Sequence, residues 1–164
     1  MAFFGTTCSE PTRNESKFGL RDDPGPTKAY STVVDPESWA ATVVNADQGD
    51  VVFTPIDNCL IFIQPGTKSD KESTCEGMLT KLNRLHLVEL KNWEYAEGAL
   101  EKGIAQLENT IRLLKAHENI DRFIDRKAHV CNQRHPAATI VATSNRKFLK
   151  ETGFRLGVRA TITI

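Results

Sequence analysis

The chain has 164 residues, 40% hydrophobic and 26% charged, with equal numbers of basic and acidic side chains and a formal net charge of zero. That length suits one domain with one core, and the composition is that of a globular protein rather than a disordered or collagen-like one. No apolar run approaches the ~18 residues of a membrane span, and the opening MAFFGTTCSEPTRNES lacks a basic stretch leading into an apolar one, so neither a membrane partner nor a secretory leader is expected.

Residues 1–30 are rich in Pro, Gly, Ser, Thr and charge, with DDPGP as the strongest breaker, and read as an irregular N-terminal arm. Residues 31–164 read as the single α/β domain. In DPESWAATVVNA, Asp35 and Pro36 stand where a cap and a first helical residue belong, which predicts a short helix. GDVVFTPIDNCLIFIQPG is β-branched and aromatic and reads as one or two strands. TKSDKEST is a polar loop. CEGMLTKLNRLHLVELKNW predicts a hairpin turning near Lys81–Arg84, and a helix follows from about Glu94 to His117. KAHVCNQ and ATIVATS are strand candidates, NRKFLKETG a helix closed by Gly153, and FRLGVRATITI a last strand. Hairpin, long helix, strand, helix, strand is the order of an α/β fold with a mixed central sheet flanked by helices.

The four cysteines, Cys8, Cys59, Cys75 and Cys131, include no C-x-x-C pair and keep no zinc-finger spacing with histidine. They read as buried free thiols, and hence the protein as cytoplasmic. Charge is uneven along the chain. From residue 120 onward nine Lys and Arg face three Asp and Glu, which points either to a polyanionic partner or to pairing with the acidic N-terminal segment. Arg146, Lys147 and Lys150 cluster on NRKFLK. Helical spacing puts Arg146 and Lys150 on one face and leaves Phe148 and Leu149 to pack, so this helix is the candidate that tracks a nucleic-acid backbone.

The hairpin holds the densest chemistry. Side chains alternate along a strand, so in LHLVELK the residues Leu85, Leu87, Glu89 and Lys91 share one face, and His86, Val88 and Leu90 the other. Glu89 and Lys91 then project together where the apolar face runs out. A carboxylate there can hold a hard divalent cation, and an adjacent lysine can orient water or stabilise charge on a phosphate. A second acid would come from the paired strand, where Glu76 is well placed. The plain alternative is an ion pair on a half-exposed strand, because E-x-K arises by chance in a charged chain. His86, on the other face, reads as structural. In the following helix Ala96, Leu100, Ile104, Leu107, Ile111 and Leu114 form an apolar stripe. Gln106 lies at its border beside Gly103, whose small size would let the helix approach the sheet; the alternative for Gln106 is a solvent-facing position. Trp93 and Tyr95 read as packing anchors rather than base-stacking platforms.

IDNCLI (56–61), CE (75–76), VELK (88–91) and QLENTI (106–111) together resemble the PD-(D/E)XK, restriction-endonuclease-like nuclease superfamily, most closely small bacterial members of it. The resemblance covers residues 56–115. It implies a restriction-endonuclease-like core and a Mg²⁺- or Mn²⁺-dependent nuclease that cleaves phosphodiester bonds, with DNA as the substrate. It places the first metal acid on Glu76, with Asp57 as the alternative, the second on Glu89, and the catalytic lysine on Lys91. It adds the carbonyl of Leu90 as a metal ligand and Gln106 as a site residue. Position 76 departs from the family pattern, carrying Glu where Asp is usual, one methylene longer. A non-catalytic member, serving as an interaction or regulatory subunit, is therefore the second reading, and an unrelated α/β domain with a chance E-x-K the third. A domain this small has no separate reader of sequence, which fits a homodimer or a subunit beside an ATPase or targeting partner, as in antiviral defence systems.

Overall fold

Among the residues that the computed structural model describes, 2–91, 98–132 and 142–164, the chain forms nine strands and two helices. Three strands come first: β1 (Lys17–Arg21), β2 (Tyr30–Thr32) and β3 (Ala41–Val44). β1 pairs antiparallel with both others. The chain then builds β4 (Val52–Pro55), β5 (Gly77–Lys81) and β6 (Arg84–Leu90), an antiparallel meander. Helix α1 (Ala99–His117) crosses over and returns the chain as β7 (Asp125–Cys131), parallel to β6. Helix α2 (Ala142–Thr152) precedes β8 (Arg155–Val158), parallel to β7. Last, β9 (Thr161–Thr163) leaves that sheet and pairs parallel with β3. The result is a five-stranded sheet in the order β4-β5-β6-β7-β8 and a four-stranded sheet in the order β2-β1-β3-β9.

The central strand β6 explains why its sequence is almost continuously apolar: both of its faces are covered. Leu85 and Leu87 join Met78, Ala128 and Val130 against Leu107, Ile111 and Leu114 of α1, with Phe148, Phe154 and the N-terminal Phe3 in the same cluster. Val88 and Leu90 face the other way, where Phe53, Leu79 and Cys131 meet Phe18, Leu20, Val43 and Ile162 of the four-stranded sheet. The five-stranded sheet is thus the middle layer, with helices on one face and a second sheet on the other. Pro55 is tolerated because β4 is an edge strand. Lys81, buried at the end of β5, ties the two sheets together: its Nζ donates to Asn45 Oδ1 at 2.7 Å and to the Ile164 carbonyl at 3.2 Å, and pairs with Asp47.

The hairpin forms as expected. Leu82 and Asn83 make its two-residue turn, with Leu82 at φ 50 and almost fully exposed. The expected helix over 94–117 is α1 from Ala99; its first positions, with Trp93 and Tyr95, lie outside the described residues. Gly153, at φ 78, donates its N–H to the Leu149 carbonyl and closes α2 as expected.

Five expectations need correction. The segment 1–30 is not simply irregular: it contributes β1, and buries Phe3, Phe18 and Leu20. The helix expected after Asp35 is one 3-10 turn over Pro36–Ser38, and Asp35 makes no side-chain cap. The β-branched run Thr42-Val43-Val44 then goes to β3, where neighbours on both sides outweigh a good helix start. GDVVFTPIDNCLIFIQPG makes one strand, β4, and IDNCLI is the turn after it rather than a second. In ATIVATS, the described residues 142–144 open α2, and 138–141 lie outside the described residues. FRLGVRATITI makes two strands in two different sheets, broken at Arg159 and Ala160.

The cysteines differ as well. Cys8 and Cys59 form a disulfide, fastening the N-terminal segment to the turn after β4, while Cys75 and Cys131 are buried free thiols. The reading of all four as free thiols, and the compartment drawn from it, therefore lose their support, since disulfides persist in oxidising surroundings. Among the described residues no helix is long and apolar enough to cross a membrane.

Candidate active site at the end of the central hairpin

β6 carries Glu89 out to the point where the paired strand β5 ends. The last cross-strand pair is Gly77 with Val88, so Glu76 stands beside Glu89 one step further. Lys91 follows on the same face, and its N–H is held by the Cys131 carbonyl of the neighbouring strand at 2.8 Å. Alternation thus does what the sequence predicts, gathering two acids and a lysine under α1.

Helix α1 comes unusually near. A Cβ on Gly103 would lie 3.3 Å from Glu89 Cγ, 3.4 Å from Lys91 Cε and 3.5 Å from Val130 Cγ1. The helix is also stitched to the segment entering β5. Gln106 Nε2 donates to the Thr74 carbonyl at 3.1 Å, and Asn109 Nδ2 donates to the Ser73 carbonyl at 2.9 Å. The Cys75 N–H donates to Thr110 Oγ1 at 2.8 Å, and Arg112 pairs with Glu72 at 2.8 Å. Gln106 is therefore not a solvent-facing residue. Its Oε1 accepts from Lys91 Nζ at 3.0 Å, so one side chain positions both the lysine and the strand that bears Glu76.

Burial and like charge govern the electrostatics. Glu89 is fully buried. Burial raises its carboxyl to about 7, against the opposing pull of Lys91, with which it forms an ion pair. Glu76, also buried, is raised further, to about 8, by burial first and then by Glu89, Asp22 and Asp57. Asp22 is raised by burial and by Asp57, with Lys91 opposing. The donors that oppose burial at Glu89 are Lys91, paired with its Oε1, and the Glu76 backbone N–H. A buried carboxylate normally collects such partners. Four acids thus gather around one lysine, and burial and mutual repulsion hold Glu76, Glu89 and Asp22 above the ordinary carboxyl range.

Glu76, Glu89, Lys91 and Gln106 are brought together as the sequence implies. Asp57, in the turn fixed by the Cys59 disulfide, is close enough to disfavour ionisation of both glutamates, so either acid at the head of the hairpin faces the cluster. The Leu90 side chain turns to the other sheet. Asp22 was missed. It follows directly on β1 in the segment read as an arm, and no local pattern connects RDDP to a hairpin more than fifty residues on. Among the described residues no three His, Cys, Asp or Glu side chains are gathered tightly enough to form a ready-made metal cage. The buried carboxyls of Glu76 and Glu89, with Asp57 near enough to raise both, nevertheless fit a hard cation, because clustered carboxyl oxygens are what such an ion recruits.

Elsewhere, Arg146, Lys147 and Lys150 are exposed on α2, Phe148 packs into the core, and Leu149 is left 43% exposed rather than packed. Among the described residues none of these three cations pairs with an N-terminal acid. No family model matches the chain, and neither a curated protein nor a solved structure matches it.

Proposed function

We propose that this protein is a Mg²⁺- or Mn²⁺-dependent nuclease of the PD-(D/E)XK kind, acting on DNA at the Glu76–Glu89–Lys91 site. The observation that carries the reading is Glu89: a fully buried carboxylate raised to about 7, paired with a lysine and opposite a second buried acid raised to about 8. A structural ion pair has no need of a second buried acid whose ionisation it disfavours. Glu76 and Glu89 would hold the cation, with Asp57 or Asp22 and the Leu90 carbonyl as further oxygen donors. Bound there, the cation would activate water and offset charge on the scissile phosphate. Lys91, held by Gln106, stands to orient the attacking water and to stabilise the developing phosphate charge. The exposed cations of α2 supply backbone contacts without sequence preference.

The mixed sheet with helices on one face is compatible with a restriction-endonuclease-like core, and the α2 cations, which have no ion-pair partner among the described residues, favour a polyanionic partner over internal neutralisation. Action as a homodimer, or beside an ATPase or targeting subunit in a defence system, belongs to the same proposal. So does a cytoplasmic place, against which the Cys8–Cys59 bond stands. One observation favours the non-catalytic reading: with carboxyls raised to about 7 and 8, the pair keeps a proton near neutrality and can rest without a cation. Plasmid, single-stranded DNA and RNA are to be incubated with Mg²⁺ or Mn²⁺, with EDTA as control. Metal-dependent cleavage by the parent and none by a folded Lys91→Ala protein is expected. Cleavage that survives in Lys91→Ala removes the mechanism, and calorimetric titrations of both metals without heat leave the interaction-subunit reading in its place.

A further inference from the structure

Between α2 and the β7–β8 edge lies a cavity of about 550 Å³, lined by Lys127, His129, Asn145, Arg146, Leu149, Arg155, Leu156 and Arg159. Its volume falls within the range of small-molecule sites, roughly 300–1,000 Å³. Four of its side chains are cations. Of these, only Lys127 has an ion-pair partner among the described residues, Asp125 at 3.6 Å. The cavity is separate from the carboxylate site. The cavity wraps the edge strand β8: Leu156 and the α2 residues line it from the helix face, and His129, in register with Val88, lines it from the face that turns away from Glu89. Gly157 makes room beside it: a Cβ there would stand 2.3 Å from Arg159 Nη2, so the guanidinium lies flat over the strand.

His129 gives the cavity its chemistry. The ring is 1% exposed, and its Nδ1 has no hydrogen-bond partner among the described residues. Its Nε2 lies 3.3 Å from His86 Nδ1, and His86 Nε2 lies 3.4 Å from Asp125 Oδ2. The carboxylate only accepts, so His86 donates through Nε2 and accepts at Nδ1, and His129 must donate through Nε2. That leaves His129 Nδ1 as a bare lone pair. Burial keeps both rings neutral, lowering His86 to about 4 and His129 well below the ordinary range. Asn145 Oδ1, buried and unpartnered among the described residues, is a second acceptor at the same cavity. A matching ligand must therefore bring negative oxygens for the cations and a proton for the imidazole.

We propose that this cavity binds a phosphate monoester, which meets both demands because a singly protonated phosphate carries anionic oxygens and one P–OH. A phosphodiester in the nucleic-acid backbone has no such proton, and sulfate at neutral pH has none either. The site thus selects a terminal phosphate over an internal one, and it does not depend on the metal-site reading. The phosphate has two sources, a free mononucleotide-sized ester or the phosphorylated end of a strand.

Calorimetry on the full chain at about pH 6.5 tests it, with inorganic phosphate, sulfate and dimethyl phosphate as probes. Saturable phosphate binding, at least tenfold tighter than either other anion, is expected. The Arg155→Gln/Arg159→Gln variant, altered only at exposed residues, should weaken phosphate at least tenfold while melting as the parent does without phosphate. No saturable phosphate binding, equal affinity for sulfate, or undiminished binding by a folded double variant overturns the proposal. Where phosphate binds, a ten-nucleotide strand with and without a 5′-phosphate names the source: tighter binding of the phosphorylated strand than of phosphate alone assigns the strand end, and equal binding the free ester.

Discussion

Replacing Glu76 with Gln removes one titrating group from the buried cluster and leaves its shape nearly unchanged. With a folded pKa of about 8 against an ordinary 4.5, the wild-type carboxyl resists ionisation in the folded chain. The sign follows from linkage. At pH 4 the acid is mostly protonated in both states and contributes little. As pH rises above 4.5 the unfolded chain ionises first, and folding stability falls until the folded carboxyl also titrates near pH 8. At ~1.4 kcal/mol per pK unit the full loss approaches 5 kcal/mol. Coupling to Glu89 shares part of it, so roughly 3 kcal/mol is the expected share of Glu76 alone. The buried amide of Glu76→Gln adds a cost of its own, but one that does not vary with pH. The quantity to measure is therefore a double difference, parent against variant at pH 4.5 and at pH 8.5, by urea denaturation without divalent metal. The variant should gain about 3 kcal/mol on the parent between the two, or roughly 6–12 °C in Tm for a chain of this size. Added Mg²⁺ should raise the melting temperature of the parent at pH 8.5 far more than that of the variant. Parallel pH profiles for the two proteins would refute the argument, because a carboxylate that ionises normally is not buried beside a second acid.

Substituting Leu for Gly103 should cost ~1–3 kcal/mol through overpacking and displace Glu89 and Lys91, read as lost metal heat in calorimetry; Gly103→Ala should stay within ~1 kcal/mol, since its helix gain offsets the close contact. Neutralising Arg146 and Lys150 together should weaken nucleic-acid binding about equally for all sequences and reduce the slope of log affinity against log salt by up to ~2; a lowered melting temperature with an unchanged slope would reassign them to stability. Reducing the Cys8–Cys59 bond, which spans 51 residues, removes a chain-entropy constraint of about 4 kcal/mol. A melting curve with and without dithiothreitol should separate by roughly 8–16 °C, and coincident curves would show that the bond is not formed.

What the sequence disclosed was whatever rests on short-range pattern. Alternation placed Glu89 and Lys91 on one face, the two-residue turn at Leu82-Asn83 brought Glu76 opposite, and helical spacing put Gly103 and Gln106 against them. Each depends on fewer than twenty residues of local geometry, apart from the helix docking, which a glycine signals. The failures share a cause. Thr42-Val43-Val44 become a strand because of β1 and β9, neither of which is next to them in the chain. Asp22 enters the site because the second sheet carries it there, and the disulfide forms because the turn after β4 meets the N-terminal segment. The His86–His129 pair was invisible for the same reason: parallel pairing across α1 joins strands that no local rule connects.

The pairing of β9 with β3 sets an order on biosynthesis. Thr42 meets Thr161, so the sheet that begins near the N-terminus has an open edge until more than a hundred further residues have been made. While the ribosome is still translating, β3 offers unpaired N–H and C=O groups to whatever strand is near. The apolar side chains Phe18, Leu20 and Val43 meanwhile wait for β5 and β6 to cover them. Completion is therefore a late event of high contact order, and nascent chains arrested before β9 should be the most chaperone-bound and protease-sensitive of the series.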